Sequence, residues 1–372
     1  MKVLHVYRTY FPDPPGGLQE AIRQICLATG PLGVQSTVFT LSPDPDPAEI
    51  QRPEARVVRC RSWAAPASCD LGGPAAFRRF ARLAEQADLI HYLHPWPFAD
   101  LLHLGVRPRT PAVLTYISDI VRQRALGVAY APLMWRMLRD MRLIVANAPP
   151  YVQSSPVLSQ PSLAERLRVV PLGIVESSWP AVADAGILER LGIAPGEPFF
   201  LFIGVLRYYK GLHILAEAAR AVPARIVIAG SGPEGAALRE QARGNGRLVF
   251  VGQVSDAEKA ALLAHCRAFV LPSHLRSEAY GMVLVEAAIQ SRPMISCEIG
   301  TGTSFVNLDG ETGCVVPPES PQALAAAMNR LLADPALAER LGAGARARYE
   351  AMFSGPALGR GYAGVFREAL AQ

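Results

Sequence analysis

Short apolar, β-branched runs alternate with amphipathic segments along this chain, and the series begins twice. "KVLHVY" (2–7) opens it, followed by "STVFTL" (36–41), "ARVVRC" (55–60), "ADLIHYL" (87–93), "PAVLTYI" (111–117), "RLIVANA" (142–148) and "LRVVPLG" (167–173). "PFFLFIGVL" (198–206) starts it again, with "RIVIAG" (225–230), "RLVFVG" (247–252), "RAFVLPS" (267–273) and "RPMISCE" (292–298). Strands spaced by helices point to parallel sheets covered on both faces. A chain of 372 residues also exceeds what one core serves. The expected fold class is therefore α/β, with two doubly wound Rossmann-like domains facing across a cleft. The first domain spans 1–173 and the second 197–355. A linker over 174–196, carrying Pro180, Gly192, Pro195 and Gly196, joins them, and an amphipathic helix over 356–372 ends the chain. Ligands of such sheets bind beyond the carboxyl ends of the strands.

Composition narrows the class. No apolar run reaches the roughly 18 residues of a membrane span. "MKVLHVYRTYF" reads as a strand and not as a signal peptide. Six scattered cysteines without a CxxC pair suit a reducing cytoplasm. Residues 1–175 hold 19 Lys+Arg against 13 Asp+Glu, whereas the remainder holds 18 against 19. A basic first half fits an anionic lipid surface or a phosphorylated lipid, and a merely solvated arginine-rich surface accounts for it as well. Nucleic acid is not expected, because no basic run or RNA-binding aromatic signature is present. Lysine is scarce: Lys2, Lys210 and Lys259 are the three among 37 basic residues.

Several motifs fall at strand ends. In "GVLRYYKGL" (204–212) a glycine turn allows close backbone approach, and Arg207 and Lys210 could neutralise a diphosphate; an ordinary surface loop is the alternative. "RIVIAGSGPEG" contains Gly230, Gly232 and Gly235 in GxGxxG spacing. Pro233 and the lack of an acidic strand end about 20 residues on argue against a dinucleotide fingerprint, and a tight strand-to-helix turn remains. "FPDPPGGLQE" places Gly16 and Gly17 where a ligand could approach backbone, or in a plain loop. "HYLHPWPFAD" carries His91 and His94 at a strand end, either as hydroxyl partners at a cleft rim or as buried core histidines. No third ligand makes them a metal pair. Asp44 and Asp46, among prolines, read as a turn and not as a cation-binding DxD.

"RSEAYGMVLVEA" (276–287) holds Glu278 and Glu286 eight residues apart around an apolar run. Glu278 falls in the exit loop of a strand, and a mostly apolar, buried helix begins near Gly281. A carboxylate inside that helix needs a partner. Two ribose hydroxyls would satisfy Glu286, and so would a buried arginine.

These motifs together resemble the family-4 glycosyltransferases of the GT-B fold. The resemblance covers nearly the whole chain and is carried by "SEAYGMVLVEA" (the E-x7-E signature), "GGLQEAI", "GVLRYYKGL", "AGSGPE", "VFVGQVSDAEKAALL" and "EIGTGTSFVNLDGETGCVVPP". "TYFPDPPGG", "HYLHPWPFADLL" and "SDIVRQ" look most like the bacterial mannosyl- and D-rhamnosyltransferases of O-antigen and exopolysaccharide assembly. The resemblance implies that Arg207 and Lys210 hold the donor diphosphate and Glu286 the ribose. It sets Glu278 against the transferred sugar, lets the phosphates approach Gly16 and Gly17, and brings Val254 to the base. Gly230 and the stretch Tyr280, Gly281, Met282 and Val283 complete the donor set. His94, His91 and Asp119 are the catalytic candidates of the first domain, and the last helix crosses back onto that domain. Val205, Leu93 and Ile117 stand where the family usually has an arginine and two histidines.

The resemblance further implies a metal-independent, retaining transferase without a cofactor. It would move D-rhamnose or mannose from a GDP-sugar to a polyprenyl-diphosphate-linked saccharide at the cytoplasmic face of the inner membrane. The alternatives are a same-fold sugar-nucleotide epimerase and a non-catalytic GDP-sugar-binding subunit of a polymerase complex.

Overall fold

The computed structural model describes residues 1–13, 16–66, 69–119, 124–180 and 186–372, with the side chains of 124–129 left aside. The chain divides into two compact units, Met1–Val175 with Gly355–Gln372, and Glu176–Ser354.

The first unit is built on a nine-stranded sheet. Its strands are β1 (Lys2–Val6), β2 (Gln35–Ser42), β3 (Glu49–Gln51), β4 (Arg56–Ala64), β5 (Leu71–Gly72), β6 (Leu89–His94), β7 (Ala112–Tyr116), β8 (Leu143–Ala146) and β9 (Leu167–Val169). The order β3-β4-β2-β1-β6-β7-β8-β9 is parallel except at one edge, where β3 and β5 pair antiparallel with β4. The central strands are buried on both faces, as in Leu89–His94 and Ala112–Tyr116. That double burial is why their sequences run apolar without alternation. Helix Gly355–Ala371 packs on helix Gly17–Thr29. Gly359 permits the close approach: a Cβ there would stand 2.3 Å from the Ala28 carbonyl oxygen.

The second unit carries six parallel strands, β10 (Phe199–Ile203), β11 (Arg225–Ala229), β12 (Leu248–Gly252), β13 (Ala268–Leu271), β14 (Met294–Cys297) and β15 (Gly313–Val316). Their order is β12-β11-β10-β13-β14-β15. The chain winds outward from β10 to one side and then from β13 to the other, so the topological switch point lies between those two strands. The loops leaving β10 and β13 therefore emerge side by side. The stretch expected as a linker holds a short helix, Gly186–Arg190, which packs on helix Asp256–His265, and from Glu176 onward it counts with this unit.

Candidate functional site

At the switch point of the second unit the loop after β10 turns sharply at Gly204 (φ 151) and crosses the loop after β11. A Cβ on Gly230 would stand 2.0 Å from the Gly204 carbonyl oxygen, so the Gly230 turn braces its neighbour by backbone contact. Leu206 N–H donates to Ser231 O, and Glu234 N–H to Leu206 O. Gly230 thus owes its missing side chain to chain packing. This bracing presents Arg207, exposed, and then the turn Tyr208–Lys210, whose lysine is buried to 9% exposure.

Lys210 Nζ donates to Glu278 Oε2, and Ser273 Oγ reaches the same oxygen at 3.2 Å. The ammonium also lies 5.5 Å from the Tyr209 ring centroid. Burial alone would lower the Lys210 pKa, but the Glu278 carboxylate and Tyr209 together outweigh it and the net shift is upward. The lysine is therefore charged at neutral pH. Glu278, 8% exposed, is the counter-ion that makes a buried cation tolerable.

A second set of contacts holds this turn. His274 N–H donates to Tyr209 O. The His274 ring sets Nε2 3.1 Å from Tyr208 O and Nδ1 3.1 Å from Glu319 Oε1. The Tyr208 ring stacks on His213, with centroids 5.0 Å apart. Sequence reasoning passed over Ser273, His274 and Glu319. The position of Ser273 and His274 directly after β13 was the available signal.

Helix Met282–Ile289 starts from Gly281, held at φ 82. A residue with a Cβ is strained in that left-handed geometry. The helix buries Leu284, Val285 and Ala287–Ile289, leaving Met282, Val283 and Glu286 as one half-buried stripe. Glu286 Oε1 accepts from Lys259 Nζ at 3.2 Å, and Lys259 in turn lies 4.8 Å above the Trp179 ring. Lys259 is thus one partner of Glu286, the carboxylate for which ribose hydroxyls or a buried arginine were expected from sequence. Val254 is half-buried in the loop after β12, next to the Ser255 capping box. Tyr280 is buried just before the helix.

In the first unit the switch point lies between β1 and β6. Gly16 precedes and Gly17 opens helix Gly17–Thr29 there. His94 ends β6 with its ring stacked on Tyr116, centroids 4.4 Å apart. Tyr116 Oη donates to Asp119 Oδ1 at 3.0 Å, and Ser155 Oγ to the same oxygen at 2.7 Å. His94 and Asp119 are thereby linked through one tyrosine. Burial drives the His94 pKa down to about 3, so the ring is neutral at physiological pH. Nearby, Tyr130 Oη donates to Asp100 Oδ2, and burial raises the Asp100 pKa to about 7 even against that bond.

His91 is not part of this group. It is fully buried, pairs in register with His5 on β1, and bonds His5 Nδ1 at 2.9 Å and Thr115 Oγ1 at 2.7 Å. Tyr362 and Phe366 of the last helix cover it. A residue inside β6 points into a face that a helix seals, whereas the strand's last residue reaches the loops. His91 is a core histidine.

The chain matches two family models: "Glycosyl transferase 4-like domain" over residues 16–173 and "Glycosyl transferases group 1" over residues 186–348. It is 44% identical over 356 residues to D-rhamnosyltransferase WbpZ of Pseudomonas aeruginosa, covering 95% of this chain and 92% of that protein. The chain is a family-4 glycosyltransferase. The transferase is also 42% identical to O-antigen chain mannosyltransferase C of Escherichia coli, with 95% of each chain covered. Its fold is that of sucrose-phosphate synthase from Thermosynechococcus elongatus (TM-score 0.80, 23% identity, 100% and 99% covered). WaaG, a glycosyltransferase of lipopolysaccharide biosynthesis, shares the fold as well (TM-score 0.66, 17% identity, 99% and 98% covered). Both are GT-B structures.

Proposed function

We propose that the transferase moves a hexose from a GDP-sugar to a polyprenyl-diphosphate-linked saccharide, with retention and without a metal. D-rhamnose is the preferred sugar and mannose the second, and the setting is O-antigen assembly at the cytoplasmic face of the inner membrane. The observation that carries the reading is the buried Lys210–Glu278 pair at the switch point, with the exposed Arg207 beside it. The two relatives named above support the choice of sugar.

In the reaction the bond between the anomeric carbon and the diphosphate oxygen breaks, and a bond from the acceptor hydroxyl oxygen forms on the same face. The hydroxyl proton passes to an oxygen of the departing diphosphate, and GDP leaves with the bonding electrons. Lys210 and Arg207 offset the charge that develops on the diphosphate. Met282 and Val283 supply N–H groups at the positive end of their helix. Glu286 accepts from the ribose, Tyr280, Gly281 and Val254 border the nucleoside, and Glu278 meets the sugar while holding Lys210. In the first unit His94 and Asp119 are proposed to serve the acceptor, and Gly16 and Gly17 to leave backbone open to phosphate.

The test is one assay: purified protein, a panel of nucleotide sugars and a synthetic lipid-diphosphate acceptor, with the product linkage read by NMR. Transfer from GDP-D-rhamnose or GDP-mannose with an α-linkage supports the reading. Turnover of the sugar nucleotide without acceptor, or GDP binding without any transfer, overturns it.

A further inference from the structure

A pocket of about 470 Å³ opens at the amino-terminal edge of the sheet in the first unit, and Arg107, Arg109, Arg136 and Arg142 line it. Among the described residues none of the four side chains has an ion-pair or hydrogen-bond partner. Asp140 is the one acid in the lining, and it faces His103 Nε2 at 3.6 Å. Burial lowers the His103 pKa, so the lining carries four positive charges against one negative at neutral pH.

Arginines near helix ends commonly serve the free carbonyls there. That role is already filled. Arg166 Nη1 donates to the carbonyls of Leu138, Arg139 and Met141 at 3.0, 3.2 and 2.8 Å, which closes helix Arg124–Asp140. Arg107 ends helix Pro97–Val106 in the left-handed region (φ 51, ψ 60), and its own N–H bonds His103 O. Glycine or asparagine suits such a position better. An arginine there keeps a guanidinium over the pocket at a backbone cost of order 1 kcal/mol.

Four guanidiniums with one carboxylate among them repel one another, and a phosphate relieves that repulsion with oxygens that fit their planar forks. Ala112, the first residue of β7, lines the pocket, while Tyr116 at the other end of β7 stacks on His94. Four strand steps, roughly 13 Å, separate the two ends. We propose that this arginine pocket binds a phosphate or diphosphate group, either free in solution or carried by a phospholipid. The site lies at the opposite sheet edge from His94 and does not depend on sugar transfer.

The experiment compares three proteins: wild type, Arg107→Ser/Arg136→Ser, and Arg360→Ser/Arg367→Ser. The last removes the same charge from the exposed face of the final helix of the same unit. Each is sedimented with phosphatidylcholine vesicles with and without phosphatidylglycerol, and titrated calorimetrically with pyrophosphate. All four positions are solvent-facing, and melting temperatures check that the variants fold. A loss of roughly tenfold or more in affinity, confined to the pocket variant, is expected, in line with removal of charge-assisted bonds. Loss on anionic vesicles assigns a lipid headgroup, and loss of a pyrophosphate site with vesicles unaffected assigns a soluble ligand. Equal loss in the Arg360/Arg367 variant, or no difference between wild type and pocket variant for either probe, overturns the proposal.

Discussion

Lys210 and Glu278 lie 68 residues apart and form a buried ion pair across the switch point of the six-stranded sheet. The pair couples a stability role to the proposed chemical one, because each charge is the other's compensation. Truncating one partner leaves an uncompensated charge, which costs about 3–5 kcal/mol.

Lys210→Ala is expected to lower transfer by about 2–4 kcal/mol of transition-state stabilisation, the scale seen when an oxyanion donor is removed. It should also lower the melting temperature. In Lys210→Ala/Glu278→Gln the buried charge is gone, so the melting temperature should recover while transfer stays low. Single-turnover rates and thermal unfolding on the three proteins separate the effects; unchanged turnover in Lys210→Ala removes the diphosphate role.

Glu278→Gln should cut the rate strongly with GDP affinity mostly kept, because the proposed sugar contact is lost and the lysine remains. Rates measured beside GDP binding by calorimetry decide it. Near-normal transfer shows the carboxylate to be a bystander.

His274→Ala removes the bridge between Tyr208 O and Glu319 and loosens the turn that carries Lys210. The donor KM should rise by roughly tenfold, equivalent to about 1.4 kcal/mol of lost positioning. Steady-state kinetics with varied donor provide the check, and a fall in kcat at constant KM speaks against a positioning role.

Stability should fall on mild acidification. Burial lowers the pKa of His5 and His94 to about 3 and that of His91 well below its ordinary value, with His5 adding to the shift at His91. As pH drops below the unfolded value of about 6.5, the unfolded chain takes up protons that the native rings refuse, so stability is lost. Each ring contributes about 1.4 kcal/mol per pH unit. Asp100, raised to about 7, acts in the opposite sense between its unfolded and folded values, against these three rings and against His103 and His213, whose pKa values burial also lowers. Urea melts at about pH 7 and about pH 5 test this, with His5→Leu/His91→Leu expected to flatten the slope.

Twelve strand positions were legible in the sequence because apolar runs and the Gly/Pro breaks around them are local signals. β3, β5 and β15 were not: Glu49–Gln51 and Leu71–Gly72 are three- and two-residue edge pieces, and Gly313–Val316 sits in a stretch rich in turn residues. At the candidate site Arg207, Lys210, Glu278 and Glu286 were readable from charge set against glycine and apolar neighbours. His91 and His94 looked equivalent as letters three apart, and one lies under a helix while the other ends its strand.

Chain order of strands and helices, and with it the α/β class, followed from the sequence alone, since hydrophobic period and turn chemistry act over a few residues. Which side chains meet was decided by tertiary structure. Lys210 finds Glu278, Lys259 finds Glu286 and His5 finds His91 because the order of strands in each sheet sets distant segments side by side. A local period cannot encode that order, because strand order arises from packing whole βα units against one another.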